Sequence, residues 1–304
     1  MLAAAPAALA LAALTAVALP ASAQDIEPRA YSNAPIGVNF LVAGYAYTRG
    51  GLAFDTAVPI TDVNLHTSNA VVAYARVFEL GGQSAKFDVT VPYAWLSGTA
   101  SYKGDPVERV VNGFTDPVFR VSANFFGAPA LSLKEFAGYE QDLIVGGSFR
   151  VVAPGGQYDD SRIVNIGLNR WSFKPELGIS KAIGHWTFEL TGAVALFTRN
   201  NDFYGGRSRA QDPLYSVQAH AIYSFRSGIW SSLDATYFMG GRTTIDGVRD
   251  NNLQQNWRLG GTLAFPVDLR NSIKLYASSG VSDRTGNSCD LLGIAWQHRW
   301  GAGL

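Results

Sequence analysis

The chain has 304 residues, with 24 basic against 24 acidic side chains, 32 glycines, 12% aromatics and only 16% charged residues. An average soluble domain carries about 25% charged residues, and a balanced charge offers nothing to a phosphate backbone, so nucleic acid is not an expected partner. The only cysteine, Cys289, excludes an intramolecular disulfide and a CxxC motif.

Residues 1–23, MLAAAPAALALAALTAVALPASA, form an uncharged Ala/Leu run closed by Pro20 and the triplet Ala21-Ser22-Ala23. This reads as a secretory signal peptide cut before Gln24, although no Lys or Arg precedes the apolar run. Residues 24–36 are then a short periplasmic N-terminal segment, with no plug domain or energy-coupling segment visible before residue 37, and residues 37–304 are one domain. After residue 23 no apolar run approaches the ~20 residues of a membrane-spanning helix. The mature chain is therefore either soluble or crosses a membrane as strands.

Weakly patterned segments at about 37–48 and 69–79 open a series of strands. In KFDVTVPYAW, Phe87, Val89, Val91, Tyr93 and Trp95 alternate with Lys86, Asp88, Thr90 and Pro92, the period of two that marks a strand. Two weaker segments, 117–126 and 142–153, follow. NRWSFKPELGIS then sets Trp171, Phe173, Leu177 and Ile179 against Arg170, Ser172, Lys174 and Glu176. Next, Trp186, Phe188, Leu190 and Val194 oppose Thr187, Glu189 and Thr191, and the odd residues from Tyr215 to Phe225 oppose Ser216, Gln218, His220, Ser224 and Arg226. A weaker segment at 229–239 leads to Trp257, Leu259, Leu263 and Phe265 against Asn256, Arg258 and Thr262. Ile273, Leu275, Ala277 and Val281 then oppose Lys274 and Ser278, and 289–300 ends the series. The total is roughly twelve strands of about 10 to 13 residues, long enough for a tilted membrane strand.

Long and short connections alternate. Long ones span about 49–68, 97–113, 154–168, 198–213 and 240–254; short ones span 80–84, 181–184, 227–228 and 266–271, with 127–141 and 282–288 intermediate. Antiparallel neighbours joined by tight turns at one end and loops at the other give this rhythm, whereas Greek-key sandwiches do not. The expected fold is an all-β, transmembrane, antiparallel up-and-down β-barrel in the Gram-negative outer membrane. Lipid-facing Arg or Lys costs about 2 to 4 kcal/mol at mid-depth, so the oily parity faces lipid and the ionic parity the lumen. The tryptophans, at 95, 171, 186, 230, 257, 296 and 300, fall mostly near strand ends, as interfacial girdles do. Pro92 and Pro175 lie inside strong strands, where a missing N–H is expected only near a rim or at a bulge.

Several segments resemble one family: VAPGGQYDDSRIVNIGLNRWSFKPELGIS (152–180), AYARVFELGG (73–82), GFTDPVFR (113–120), GAPAL (127–131), QDPLYSVQAHAIYSF (211–225) and the pair Gly240-Gly241. This is the family named for a meta-pathway of phenol degradation. The resemblance covers nearly the whole mature chain and implies a bacterial outer-membrane protein, often encoded beside aromatic-catabolism genes and called a transporter on that basis. It supplies no catalytic residues. Outer-membrane strands commonly end on an aromatic residue, but here Trp300 stands four residues before the end.

The inward-facing, pore-lining candidates are Lys86, Asp88, Arg120, Arg150, Arg170, Lys174, Glu176, Glu189, His220, Arg226, Asp234, Arg258, Lys274 and Arg299. They either select solutes by charge or pair across strands and fill the lumen; buried charges must be paired or hydrated in both cases. Loops 154–168 and 198–213 are long enough to fold over the mouth. Catalysis would rest on His66-Thr67-Ser68-Asn69, whose His and Ser share a face if the strand begins by His66. The histidines, at 66, 185, 220 and 298, lack metal-ligand spacing, and the glycine pairs do not precede helices, so no metal or cofactor is expected. The expected function is a channel for passive uptake of small, hydrophobic or aromatic solutes; the alternatives are a non-conducting structural or surface-interaction barrel and a lipid hydrolase. Expected partners are outer-membrane lipid and lipopolysaccharide, a small-molecule solute and, during biogenesis, the barrel-assembly machinery.

Overall fold

The computed structural model describes residues 27–52, 55–282, 284 and 288–304; the signal peptide assigned to 1–23 lies outside them. The strands are β1 (Val38–Gly50), β2 (Thr61–Leu80), β3 (Gln83–Tyr102), β4 (Asp105–Phe114), β5 (Val118–Phe126), β6 (Leu143–Val152), β7 (Ser172–Ile183), β8 (Trp186–Phe197), β9 (Asn200–Phe203), β10 (Arg207–Gln211), β11 (Leu214–Ser224), β12 (Trp230–Gly240), β13 (Thr243–Ile245), β14 (Val248–Arg249), β15 (Gln254–Pro266), β16 (Asn271–Ser282) and β17 (Cys289–Gly301). The barrel order is β1-β2-β3-β5-β6-β7-β8-β11-β12-β15-β16-β17, and β17 returns to β1 from Val38↔Gly301 to Gly50↔Cys289. The result is a closed antiparallel barrel of 12 strands. Closure satisfies the edges, the condition for placing strand backbone in hydrocarbon.

One end carries tight turns. Gly81 and Gly82 join β2 to β3 with φ of 61° and 78°, the double left-handed geometry of a two-residue hairpin. Residues 184–185, a 3-10 turn at Arg226–Gly228 and residues 267–270 serve the other hairpins at this end. The connection from β5 to β6 also lies here and contains the short helix α1 (Leu133–Phe136), capped reciprocally by Ser132 and Glu135. The opposite end carries the longer loops, and there β9, β10, β13 and β14 form a separate small sheet.

Strand positions agree with the alternation, but two expected loops are shorter. Residues 61–68 belong to β2, and 97–113 form an extended β3, a two-residue turn and β4. Lys103 and Gly104, with φ of 54° and 91°, make that turn; a Lys-Gly pair is a weaker hairpin signal than Asn-Gly. The strands here rise beyond the oily belt, so their outward residues include Ser97, Thr99 and Glu108 and the two-faced pattern disappears.

The outward face is apolar along the middle of the wall: Leu177, Ile179, Phe188, Leu190, Val217, Leu233, Leu259 and Ile294 are all exposed. Outward aromatics gather near the two rims, with Tyr93, Trp95 and Phe114 in contact on the loop side and Trp186, Tyr223 and Phe225 on the turn side. Trp230 departs from the expected girdle, since it is 1% exposed and points into the barrel, where the Arg29 guanidinium lies 4.9 Å from its ring centroid.

The prolines sit neither at a rim nor at a bulge. β3 pairs with β5 up to Thr90↔Val118 and with β4 from Tyr93↔Phe114, so Pro92 occupies the point where the partner changes. Pro175 interrupts the β7–β8 ladder, which is paired at Phe173↔Leu196 and resumes at Glu176↔Ala193. In both places the missing N–H coincides with a missing partner.

Leu177→Arg places a guanidinium in hydrocarbon near mid-strand and should lower stability by about 2 to 4 kcal/mol, measured by urea-dependent folding into lipid vesicles. A cost within error of zero would put this face in water.

Candidate functional site

The lumen is assembled from one row of neighbouring inward residues. Asp88 pairs with Arg120 across β3–β5, Arg120 with Arg150 across β5–β6, and Arg150 with Lys174 across β6–β7. Three cations thus stand side by side, an arrangement that repels unless carboxylates intervene. Asp88 accepts a 2.9 Å hydrogen bond from Arg120, and Glu176 lies 3.5 Å from Lys174. The centre of the row is neutralised from outside the sheet: Glu27 is hydrogen-bonded to Arg120 and 3.8 Å from Arg150.

Glu27 belongs to the segment assigned from the sequence to the periplasmic N-terminus, and residues 27–36 pack into the turn end of the barrel. The Arg29 backbone N–H donates to Glu189 at 2.7 Å, and the Tyr31 hydroxyl donates to Glu176 at 2.8 Å. Lys86 donates to the carbonyls of Ala30 and Ser32 at 3.0 and 3.2 Å. Gly146 and Gly178, paired across β6–β7, leave room for the Tyr31 ring. A Cβ on Gly178 would fall 2.2 Å from that ring.

The loop end is closed differently. Leu52, Val58 and Ile60 from one loop, Ile163, Val164 and Ile166 from a second, and Phe203 and Ile245 from the small sheet pack against Leu65, Leu96 and Tyr102 of the wall. Below this apolar lid, Asp55 receives two hydrogen bonds from Arg209, at 2.5 and 3.0 Å, and lies 3.8 Å from Arg170. Burial pushes the Asp55 carboxyl up, but the two guanidiniums outweigh it and hold it below the usual carboxylate range. Asp116 ties the second loop down by accepting from the N–H groups of Gly156 and Leu168 at 2.9 and 2.7 Å.

Two further features complete the site. The inner wall of β1, β2 and β17 carries an apolar strip of Val42, Ala46, Val71, Ala73 and Ala295, bordered by the buried polar residues Asn69 and Gln297. On the outer wall a recess of about 730 Å³ lies beside Pro175, lined by Phe125, Phe149, Leu177 and Val194 from the lipid side and by Ser148, Glu176 and Ala193 of the inward parity. The recess lies beside the gap in the β7–β8 ladder.

Of the residues singled out in the sequence, Lys86, Asp88, Arg120, Arg150, Lys174, Glu176, Glu189, His220, Asp234, Arg258 and Lys274 point inward. His220 Nδ1 lies 2.7 Å from Asp234, which also accepts from Ser232 at 2.9 Å. Arg258 donates to the Cys289 carbonyl at 2.8 Å. Arg170 stands among the loops rather than on a strand. Arg226 is exposed on the 3-10 turn, and Arg299 donates to the Leu269 carbonyl at the same rim, so these two lie at the mouth and not on the wall. The alternation could not reveal Glu27, Arg29, Tyr31, Asp55 or Arg209, because none lies in a barrel strand; the available signal was Gly146 and Gly178, the two glycines opposite Tyr31. His66 and Ser68 do share a face, but each bonds a tyrosine, Tyr47 and Tyr45, while Asn69 is buried on the other face. No hydrogen bond joins His66 to Ser68 among the described residues.

The sequence profile of the family described as "Putative MetA-pathway of phenol degradation" matches residues 47–297. No curated protein matches the chain in sequence. Among solved structures the barrel is similar to an outer membrane channel from Pseudomonas putida F1, with a TM-score of 0.74 at 18% identity, covering 91% of this chain and 100% of that one. It is also similar to the β domain of the Bordetella autotransporter BrkA, with a TM-score of 0.50 at 10% identity, covering 87% of this chain and 100% of that one. The shared fold is that of a Gram-negative outer-membrane barrel.

Burial pushes the Glu27 carboxyl up, but Arg120, Arg150 and Lys174 pull it further down, to about 2. Because this value is depressed, the carboxylate holds the segment fully above the ordinary value of 4.5 and loses its hold as pH falls through about 2. A spin label at Ala30 should therefore be immobile at pH 7 and become mobile only in strong acid, whereas Glu27→Gln should mobilise it at pH 7. A label equally immobile in both proteins would remove Glu27 from this role.

Proposed function

The chain belongs to the family of the phenol-degradation MetA pathway, and on that premise and the lumen geometry we propose an outer-membrane channel for passive uptake of small hydrophobic or aromatic solutes. The observation that carries this reading is the pairing of an apolar inner strip, on β1, β2 and β17, with a barrel obstructed at both ends. The lid over the loop end is apolar, and the segment 27–36 occupies the turn end. Ions and sugars moving along the axis would meet oil at one end and a filled lumen at the other. An apolar solute loses nothing against the lid and gains contact with the strip, at roughly 25 cal/mol per Å² of apolar surface removed from water. The recess at Pro175 offers such a solute a lateral route through the wall. Its description as a channel connects the Pseudomonas neighbour to this reading.

On the turn side, a recess of about 600 Å³ between Arg29, Tyr139, His185 and Phe225 borders the segment 27–36, and in this reading a solute leaves there when the segment yields. The family name agrees with aromatic solutes, although a fold does not itself specify a substrate. The second reading, a non-conducting structural barrel, draws on the same ion pairs: Arg120, held by both Glu27 and Asp88, locks the segment across the lumen.

Uptake of labelled naphthalene by Gram-negative cells, whose lipopolysaccharide slows diffusion of apolar molecules, separates these readings. Cells making the folded barrel should take it up several-fold faster than cells without it. Gly192→Trp, at an outward position with no atom within 4 Å of an added Cβ and on the lining of the recess, should abolish most of that gain. Equal rates with and without the protein favour the structural reading, and full uptake through the Gly192→Trp barrel removes the lateral route.

A further inference from the structure

Lys274 is set apart from the other cations of the lumen wall. Lys86, Arg120, Lys174 and Arg258 each have an oxygen partner. Lys274 is 5% exposed, and among the described residues its ammonium has no hydrogen bond or ion pair; its contact is the Tyr276 ring, 5.4 Å away at the centroid. The carboxylates that act on it electrostatically are Glu27 and Asp234. Both are engaged elsewhere, Glu27 by Arg120 and Arg150 and Asp234 by His220 and Ser232. A buried ammonium without an oxygen partner is costly and favours an arriving anion.

The surface beside it is low and mostly apolar, with Gln297 at its edge. Lys274 pairs with Ala295, Ala295 with Gly44, and Gly44 with Val71, all on the inward parity. Val42, Ala73 and Ala46 flank this row. The three atoms nearest a Cβ added to Gly44 all belong to β17, at 3.5 Å and beyond. The Tyr276 ring lies over Gly293, within 2.2 Å of where a Cβ would be, and so forms one side of the patch. From Lys274 to Val71 the row crosses three strand spacings, about 14 Å.

We propose that the lumen binds an amphiphilic carboxylate, its head group on the Lys274 ammonium and its hydrocarbon part along Ala295, Gly44 and Val71. This rests on the uptake reading and names, among its solutes, acids with an apolar body as those the lumen holds most tightly. The patch supplies burial for the tail, and Lys274 supplies a charge-assisted hydrogen bond that a neutral analogue of the same shape cannot form. A cationic amphiphile would meet repulsion at the same place.

The test compares saturable binding of octanoate and octanol to the full barrel in lipid nanodiscs, by equilibrium dialysis against empty nanodiscs at pH 7. The wild type should prefer octanoate by about tenfold or more, the ratio expected for one charge-assisted hydrogen bond of about 1.4 kcal/mol. The preference should fall to near one in Lys274→Gln and return in Lys274→Arg, with heat-modifiable migration confirming that each variant has folded. A wild-type ratio near one, a preference that survives Lys274→Gln, or no saturable octanoate binding by the folded wild type each overturns the proposal. Naphthalene uptake that persists in any of these cases leaves the passive channel standing and removes only the carboxylate.

Discussion

The interior is organised by an electrostatic problem that the sheet cannot solve alone. Antiparallel register places Arg120, Arg150 and Lys174 in one row, and strand neighbours stand only about 5 Å apart. Asp88 and Glu176 relieve the ends of the row, and Glu27 relieves the middle. The carboxylate that completes the wall is thus carried by a segment that is not part of the wall. Its docking brings Arg29 to Trp230 and Tyr31 to the glycines of β6 and β7. Charge balance and occlusion of the turn end are the same interaction.

The remaining wall follows from unequal demands on the two faces. Hydrocarbon outside tolerates no charge at mid-depth, and the enclosed inside tolerates charge only when it is paired. From β3 to β12 the inner parity meets the second demand with cross-strand ion pairs and hydrogen bonds. From β17 through β1 to β2 it largely avoids the demand, with an uncharged strip of small apolar residues bordered by Asn69 and Gln297. Lys274 stands at the seam between these two solutions, bordered by Ala295 on one side and facing carboxylates already committed elsewhere.

The two prolines show how the closed sheet accommodates a missing donor. Pro92 lies where β3 exchanges β5 for β4, and Pro175 lies in a gap of the β7–β8 ladder. Around Pro175, Gly147 and Gly192 also remove side chains from the outer wall. Local backbone chemistry and the recess in the outer wall therefore coincide.

Much of this was legible in the residues. Period-two alternation located the barrel strands because lipid and lumen impose opposite chemistry on successive positions, and the rhythm of connections distinguished turns from loops. Where strands leave the bilayer, as in 61–68 and 97–113, that contrast vanishes and the residues carry no strand signature. The inward charges at Arg120, Arg150 and Lys174 followed from parity, but their partner Glu27 did not, since a residue outside a strand has no parity. Likewise Trp230, Asp55 and Arg209 took their places through contacts between segments far apart in the chain. The sequence by itself determined which face of each strongly alternating strand meets lipid, because that is a property of neighbouring residues. Only the tertiary structure decided which charges are neutralised, which stay open and where the barrel is obstructed, because those depend on distances across a closed ring.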